Sequence, residues 1–129
     1  MLGMPFDPAA EKYVSLATFR RNGVEVKTPV WIAPMNGRHY VFSEGDAGKV
    51  KRIHATPRVR LAACDLRGKV KSEWVEGRAR IVSDPALLAQ VKRAFRAKYG
   101  LVMWLTDFFA TLSGRMRRRA YIEIEIPAA

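Results

Sequence analysis

Cysteine is nearly absent from this chain. Cys64 is the only one in 129 residues, which excludes an intrachain disulfide and any cysteine-based metal cluster. That scarcity fits a reducing cytoplasm. Histidine is scarce too: His39 and His54 fall in different segments, and neither has a partner at helical i, i+4 spacing. A metal site needs three or four ligands, so both are read as structural or surface residues. No Gly-x-Ser-x-Gly elbow, Walker loop or Rossmann fingerprint occurs. Acidic residues are scattered, with no convincing acid/base pair. The most apolar stretch, Leu101 to Leu112, is too short to span a bilayer and contains Asp107. Residues Met1 to Pro8 lack the basic and apolar regions of a signal peptide. A cytoplasmic protein with no transmembrane segment is the expectation.

What the chain does contain is apolar content and positive charge. Apolar residues make up 49%, enough for a packed core in one domain. The length leaves no room for a second. Lys and Arg number 23 against 12 Asp and Glu, a formal net charge of +11. Such a balance favours an anionic partner: nucleic acid, a membrane surface, or a phosphorylated or polycarboxylated ligand.

The patterning predicts an α+β fold. Asp7-Pro8 is a helix-start signal, with a short helix expected through Lys12. Val14–Arg20 reads as a strand, Asn22-Gly23 as a hairpin turn, and Val24–Ala33 as the return strand. Pro29 within that strand implies an edge, a bulge, or an N–H direction that pairing does not need. Asn36-Gly37 turns the chain into Arg38–Ser43, after which Lys49–Ala55 forms a short helix. Val59–Asp65 and Ser72–Val82 complete a meander of five strands. Ser83-Asp84-Pro85 starts an amphipathic helix that Gly100 breaks, and Leu101–Leu112 forms another, expected to be buried against the barrel or a subunit. Ala120–Ile126 alternates Tyr121, Glu123 and Glu125 with Ile122, Ile124 and Ile126, the signature of a half-buried closing strand. Short antiparallel connections suggest a closed barrel.

An enzyme without acid/base equipment can work when a cofactor carries the chemistry. Gly48-Lys49-Val50-Lys51-Arg52-Ile53 places a glycine-containing loop at a helix start, where free N–H groups and the helix dipole favour a phosphate. A solvated basic helix face is an equal alternative on these residues alone. Thr28, Pro29, Val30 and Trp31 could present backbone groups and a ring to a flat heterocycle. On the residues alone, Trp31 and Trp74 fit a core or dimer interface better than a place beside the ring. Ser43 could place a hydroxyl on a phosphate. Arg115, Arg117, Arg118 and Arg119 form a second basic cluster, read as solvated flank because no aromatic residues interleave it.

Several of these segments together resemble a known family. Tyr13–Arg20, Asn22-Gly23 and Thr28–Trp31 are similar to the opening hairpin of the pyridoxamine-phosphate-oxidase-like proteins. Gly48–Ile53, Pro57-Arg58-Val59, Ala63–Gly68, Val75–Arg80 and Lys98-Tyr99-Gly100 narrow the resemblance to the F420-dependent subfamily. It implies a six-stranded antiparallel split β-barrel with flanking helices, dimerised so that two cofactor sites lie in the subunit interface. It implies FMN or the deazaflavin coenzyme F420, with haem or biliverdin-like tetrapyrroles in a few branches. By the same resemblance Lys49, Lys51 and Arg52 meet the cofactor phosphate with Ser43, Thr28 to Trp31 line the ring, and Trp74 contributes from the partner chain. Asp46, Ala47 and Gly48 precede Lys49 where tight FMN binders often carry a basic or hydroxyl residue, which tilts the reading toward F420. The expected activity is hydride transfer with a small electron-poor organic substrate. A non-catalytic flavin or tetrapyrrole binder is the alternative, and a nucleic-acid-binding module, supported by charge alone, is more remote.

Overall fold

A computed structural model describes residues 4–43 and 48–127. Seven strands form one antiparallel sheet in the order β2-β1-β5-β6-β7-β4-β3. They are β1 (Tyr13–Phe19), β2 (Glu25–Val30), β3 (Ile32–Met35), β4 (Arg38–Ser43), β5 (Arg58–Cys64), β6 (Val75–Ile81) and β7 (Ala120–Glu125). Three helices accompany them: α1 (Gly48–Ala55), α2 (Pro85–Tyr99) and α3 (Leu101–Leu112).

The strand count differs from the expected six for one reason. The stretch Val24–Ala33 is not a single strand but breaks at Trp31. Its first half, β2, pairs with β1 along Val14↔Val30 to Phe19↔Glu25. Its second half, β3, pairs with β4 through Ile32↔Val41 and Ala33↔Tyr40. One residue therefore separates the two outer strands of a curled sheet, which is the split of a split barrel. Pro29 sits on an outer strand, where its missing N–H breaks no ladder bond.

The other boundaries follow local chemistry. Asn36 and Gly37 both adopt positive φ, 51° and 78°, as a two-residue hairpin turn matching strand twist requires. At Gly77 a β-carbon would stand 3.0 Å from Ile124 Cγ2 and 3.2 Å from the Glu125 carbonyl, so β6 and β7 approach closely only because no side chain is there. The fifth predicted strand is shorter than Ser72–Val82, because Ser72 spends its hydroxyl accepting from the Ala63 N–H at 2.9 Å instead of extending the ladder. The predicted helix at Pro8–Lys12 is a single turn, capped by Asp7 accepting from the Ala9 N–H at 3.0 Å. Asp84 caps α2 as its sequence position predicts.

Two cores result. Inside the barrel, Val14, Leu16, Ile32, Val41, Leu61 and Ile122 pack with Ile53, the one buried residue of α1. Outside it, Val91 and Phe95 of α2 and Met103 of α3 cover Ala33, Tyr40 and Tyr121. Within one chain, helix α3 is only partly buried. Only Met103, Asp107 and Ala110 are buried, while Leu101 and Leu112 are each 73% exposed. No helix among the described residues is long and apolar enough to cross a membrane.

Candidate functional site

The break at Trp31 opens a cleft of about 290 Å³, lined by Pro29, Val30, Trp31, Phe42, Ser43, Lys49 and Thr106. Each wall has a separate origin. Outer strand β2 delivers Pro29 and Val30 and hands over to Trp31. Strand β4 ends in Phe42 and Ser43. Helix α1 begins at Gly48 and presents Lys49 in its first turn, and α3 supplies Thr106. The Trp31 ring stacks on Tyr99 with centroids 4.7 Å apart and 15° between planes. Phe42 meets its edge at 6.0 Å. The cleft thus has one flat aromatic flank and one end carrying a hydroxyl and an ammonium.

That polar end is electrostatically incomplete. The Ser43 Oγ is buried with no hydrogen-bond partner, as is the Thr28 Oγ1 one strand away. A buried unsatisfied hydroxyl costs about 1–3 kcal/mol unless something else bonds it. Burial pushes the Lys49 ammonium pKa down, and repulsion from Arg52 pushes it further. Lys49 makes no ion pair with any described carboxylate. A phosphate would correct all of this at once, accepting from Ser43, Lys49 and the free N–H groups that open α1. The residues present therefore fit a phosphate-bearing aromatic cofactor.

A family model for pyridoxamine 5'-phosphate oxidase matches residues 8–128. The chain belongs to the pyridoxamine 5'-phosphate oxidase family. Among solved structures, HutZ, the heme storage protein of Vibrio cholerae, superposes with a TM-score of 0.74 at 14% identity, over 95% of this chain and 86% of HutZ. An FAD-binding protein of Mesorhizobium loti gives 0.64 at 21% identity, over 93% and 82%. A conserved hypothetical protein of Mycobacterium tuberculosis gives 0.69 at 20%, over 93% and 76%. These likenesses establish the split-barrel fold. No curated protein matches the chain by sequence.

Within this family member, the cleft gathers Pro29, Val30, Trp31, Ser43 and Lys49 from the sequence-derived set, with Gly48 beside Lys49. The other four lie elsewhere. Thr28 sits on β2 next to the cleft, outside its lining. Lys51 and Arg52 do not line it; with Phe19, Arg20, Arg21 and Ala55 they surround a second cavity of about 240 Å³. Arg52 donates through Nε to the Thr18 hydroxyl at 2.7 Å. Trp74 lies under Lys27 and Arg60, 5.1 and 4.8 Å from its ring centroid, and does not line the cleft of its own chain. Asp46 and Ala47, whose chemistry bears on the choice between FMN and F420, fall outside the described residues.

Sequence reasoning missed the groups that hold Trp31 in place. The Tyr99 hydroxyl accepts from the Ile32 N–H at 3.0 Å and lies 2.8 Å from the Lys12 carbonyl. The Lys98 ammonium donates to the carbonyls of Pro8, Glu11 and Ile32 at 2.5–2.7 Å. Both residues satisfy backbone groups freed where β2 gives way to β3. Burial pushes Tyr99 up to about 12 and Lys98 down to about 8. The signal available was the pair Lys98-Tyr99 at the end of an amphipathic helix, but nothing in its spacing pointed 67 residues back to Ile32.

The arginine cluster also reads differently in three dimensions. Arg115–Arg118 form one 3-10 turn, and the side chains of Arg117 and Arg118 fall outside the described residues. Arg119 is not solvated flank: its side chain is fully buried and donates to the Asp107 Oδ1 at 2.7 Å, while Arg96 donates to Oδ2 at 2.9 Å. Of the histidines, His54 is exposed. His39 is half-buried, and burial pushes its pKa down. No group of three or more His, Cys, Asp or Glu suited to a metal is present among the described residues.

Proposed function

We propose that this chain is a homodimeric oxidoreductase that binds coenzyme F420, or FMN as the alternative, in the Trp31 cleft and reduces or oxidises a small electron-poor organic molecule. The observation that supports it is the meeting of an aromatic flank with a buried unpartnered hydroxyl, Ser43, and a desolvated ammonium, Lys49, that pairs with no described carboxylate. Among the structural likenesses, the Mesorhizobium loti protein is FAD-binding. A bound deazaflavin or flavin supplies a ring that accepts or donates hydride. This chain's residues do the rest. Ser43, Lys49 and the first N–H groups of α1 hold the phosphate. Val30 and Trp31, braced by Tyr99, orient the ring. No residue of the cleft is placed as a proton donor, so solvent fills that role.

The dimer belongs to this reading. A cavity of about 290 Å³ stands at the lower end of what a cofactor-sized ligand needs, so one chain supplies part of a site. Beside it, α3 exposes Trp104, Leu105, Phe108 and Phe109, each 49–58% accessible. A contiguous apolar face of this kind marks an interaction surface. Trp74, remote from its own cleft, would reach a cofactor only from the second copy.

A carrier without turnover is the second reading, because HutZ is a heme storage protein. The described cleft lining holds no His, Cys or Met, so a haem there would lack an axial ligand from this wall. That favours a flavin-type ligand. The test is titration of apo-protein with F420, FMN and haem, followed by turnover with the reduced cofactor and a panel of enones and quinones. Tight F420 binding with turnover supports the proposal. Haem binding alone, or binding without turnover, moves the protein to the carrier reading.

A further inference from the structure

The second cavity beside α1 combines four cations with a carbon floor. Arg20 and Arg21 come from the end of the β1–β2 hairpin, Lys51 and Arg52 from α1, and Phe19 with Ala55 forms the base. Arg20, Arg21 and Lys51 make no ion pair with any described carboxylate. Arg52 has only the neutral Thr18 hydroxyl, and its guanidinium pKa is lowered by burial and by repulsion from Arg20. Like charges crowded around one concavity repel, and folding gains nothing from holding them there. Elsewhere on this molecule arginines at similar density do carry partners: Arg58 with Glu76 at 2.7 Å, Arg60 with Glu25 at 2.8 Å, Arg80 with Glu123 at 2.7 Å.

We propose that the Arg20–Arg21–Lys51–Arg52 cavity is a second anion subsite, taking a phosphate or a cluster of carboxylates. Arginine forks suit such groups through paired N–H bonds, and the volume of about 240 Å³ admits a pyrophosphate-sized anion. The inference stands apart from the reading of the Trp31 cleft, because none of its four cations lines that cleft. Two sources share this chemistry: a separate small anion, or the anionic extension of a ligand whose ring occupies the cleft.

Pyrophosphate titration by calorimetry at low salt is the experiment, on wild type, on Arg20→Ala/Arg21→Ala and on Lys49→Ala. Both arginines are exposed and sit at a hairpin end, so thermal midpoints that match wild type verify the fold. The hairpin variant should weaken one class of pyrophosphate site about tenfold and leave the class lost in Lys49→Ala. F420 and FMN titrations then separate the sources. Loss of F420 affinity with FMN affinity kept identifies the extension of the cleft ligand, and unchanged affinity for both identifies a separate anion. A hairpin variant whose pyrophosphate isotherm equals wild type overturns the subsite, whatever happens at Lys49.

Discussion

Two basic regions of this molecule have similar compositions and opposite electrostatics. On the sheet face turned away from the barrel interior, Arg38, Arg58, Arg60 and Arg80 each contact a glutamate. Around α1, Lys49, Lys51, Arg20 and Arg21 contact none among the described residues. The pKa directions divide the same way. The hydrogen bond donated to Glu76 raises Arg58 and that donated to Glu123 raises Arg80, whereas burial lowers Lys49 and Arg52. Paired cations serve the fold. Unpaired, desolvated cations cost the fold something, and a ligand that neutralises them regains it. Net charge alone, +11, cannot make that distinction.

Substitutions sharpen the contrast in decreasing order of effect. Asp107→Ala removes the carboxylate that the fully buried Arg119 side chain and Arg96 both contact. It should cost about 3–5 kcal/mol in denaturant unfolding. Tyr99→Phe deprives the buried Ile32 N–H of its acceptor, for about 1–3 kcal/mol, and should alter the emission of the stacked Trp31. Glu123→Gln tests the paired face through pH. Arg80 and then Tyr40 hold the Glu123 carboxyl below the usual range by hydrogen bonding, against its burial. Its stabilisation is therefore complete above the unfolded value of about 4.3. It fades as pH falls through the lower folded value, and the glutamine variant should lose that part of the acid limb. Arg58→Ala should leave the unfolding midpoint close to wild type, because both partners are over half exposed and solvent screens the pair.

Much of this was legible in the sequence, for identifiable reasons. Period-2 alternation located β7, turn dipeptides located the hairpins, and Asp84-Pro85 located the start of α2. The polar end of the cleft was legible because glycine, lysine and a helix start are contiguous in the chain. The break at Trp31 was not. Val24–Ala33 has uniform strand character, and what splits it is tertiary: Tyr99 and Lys98 capture the backbone of Ile32 from 66–67 residues away. Lys51 and Arg52, which contiguity had grouped with Lys49 into one phosphate site, line a separate cavity. Likewise Glu123 belonged to a strand face expected to be solvated, yet it is 4% exposed because Tyr40 and Arg80 close over it.

The central claim is that unpaired charge marks the ligand site and paired charge does not. Parallel fluorescence titrations of F420 and FMN into wild type, Lys49→Ala and Arg58→Ala test it most directly. The account predicts a loss of about tenfold or more for the preferred cofactor in Lys49→Ala, with stability unchanged, and wild-type affinity in Arg58→Ala. Equal affinities in all three proteins, or a loss in Arg58→Ala matching that in Lys49→Ala, would contradict it.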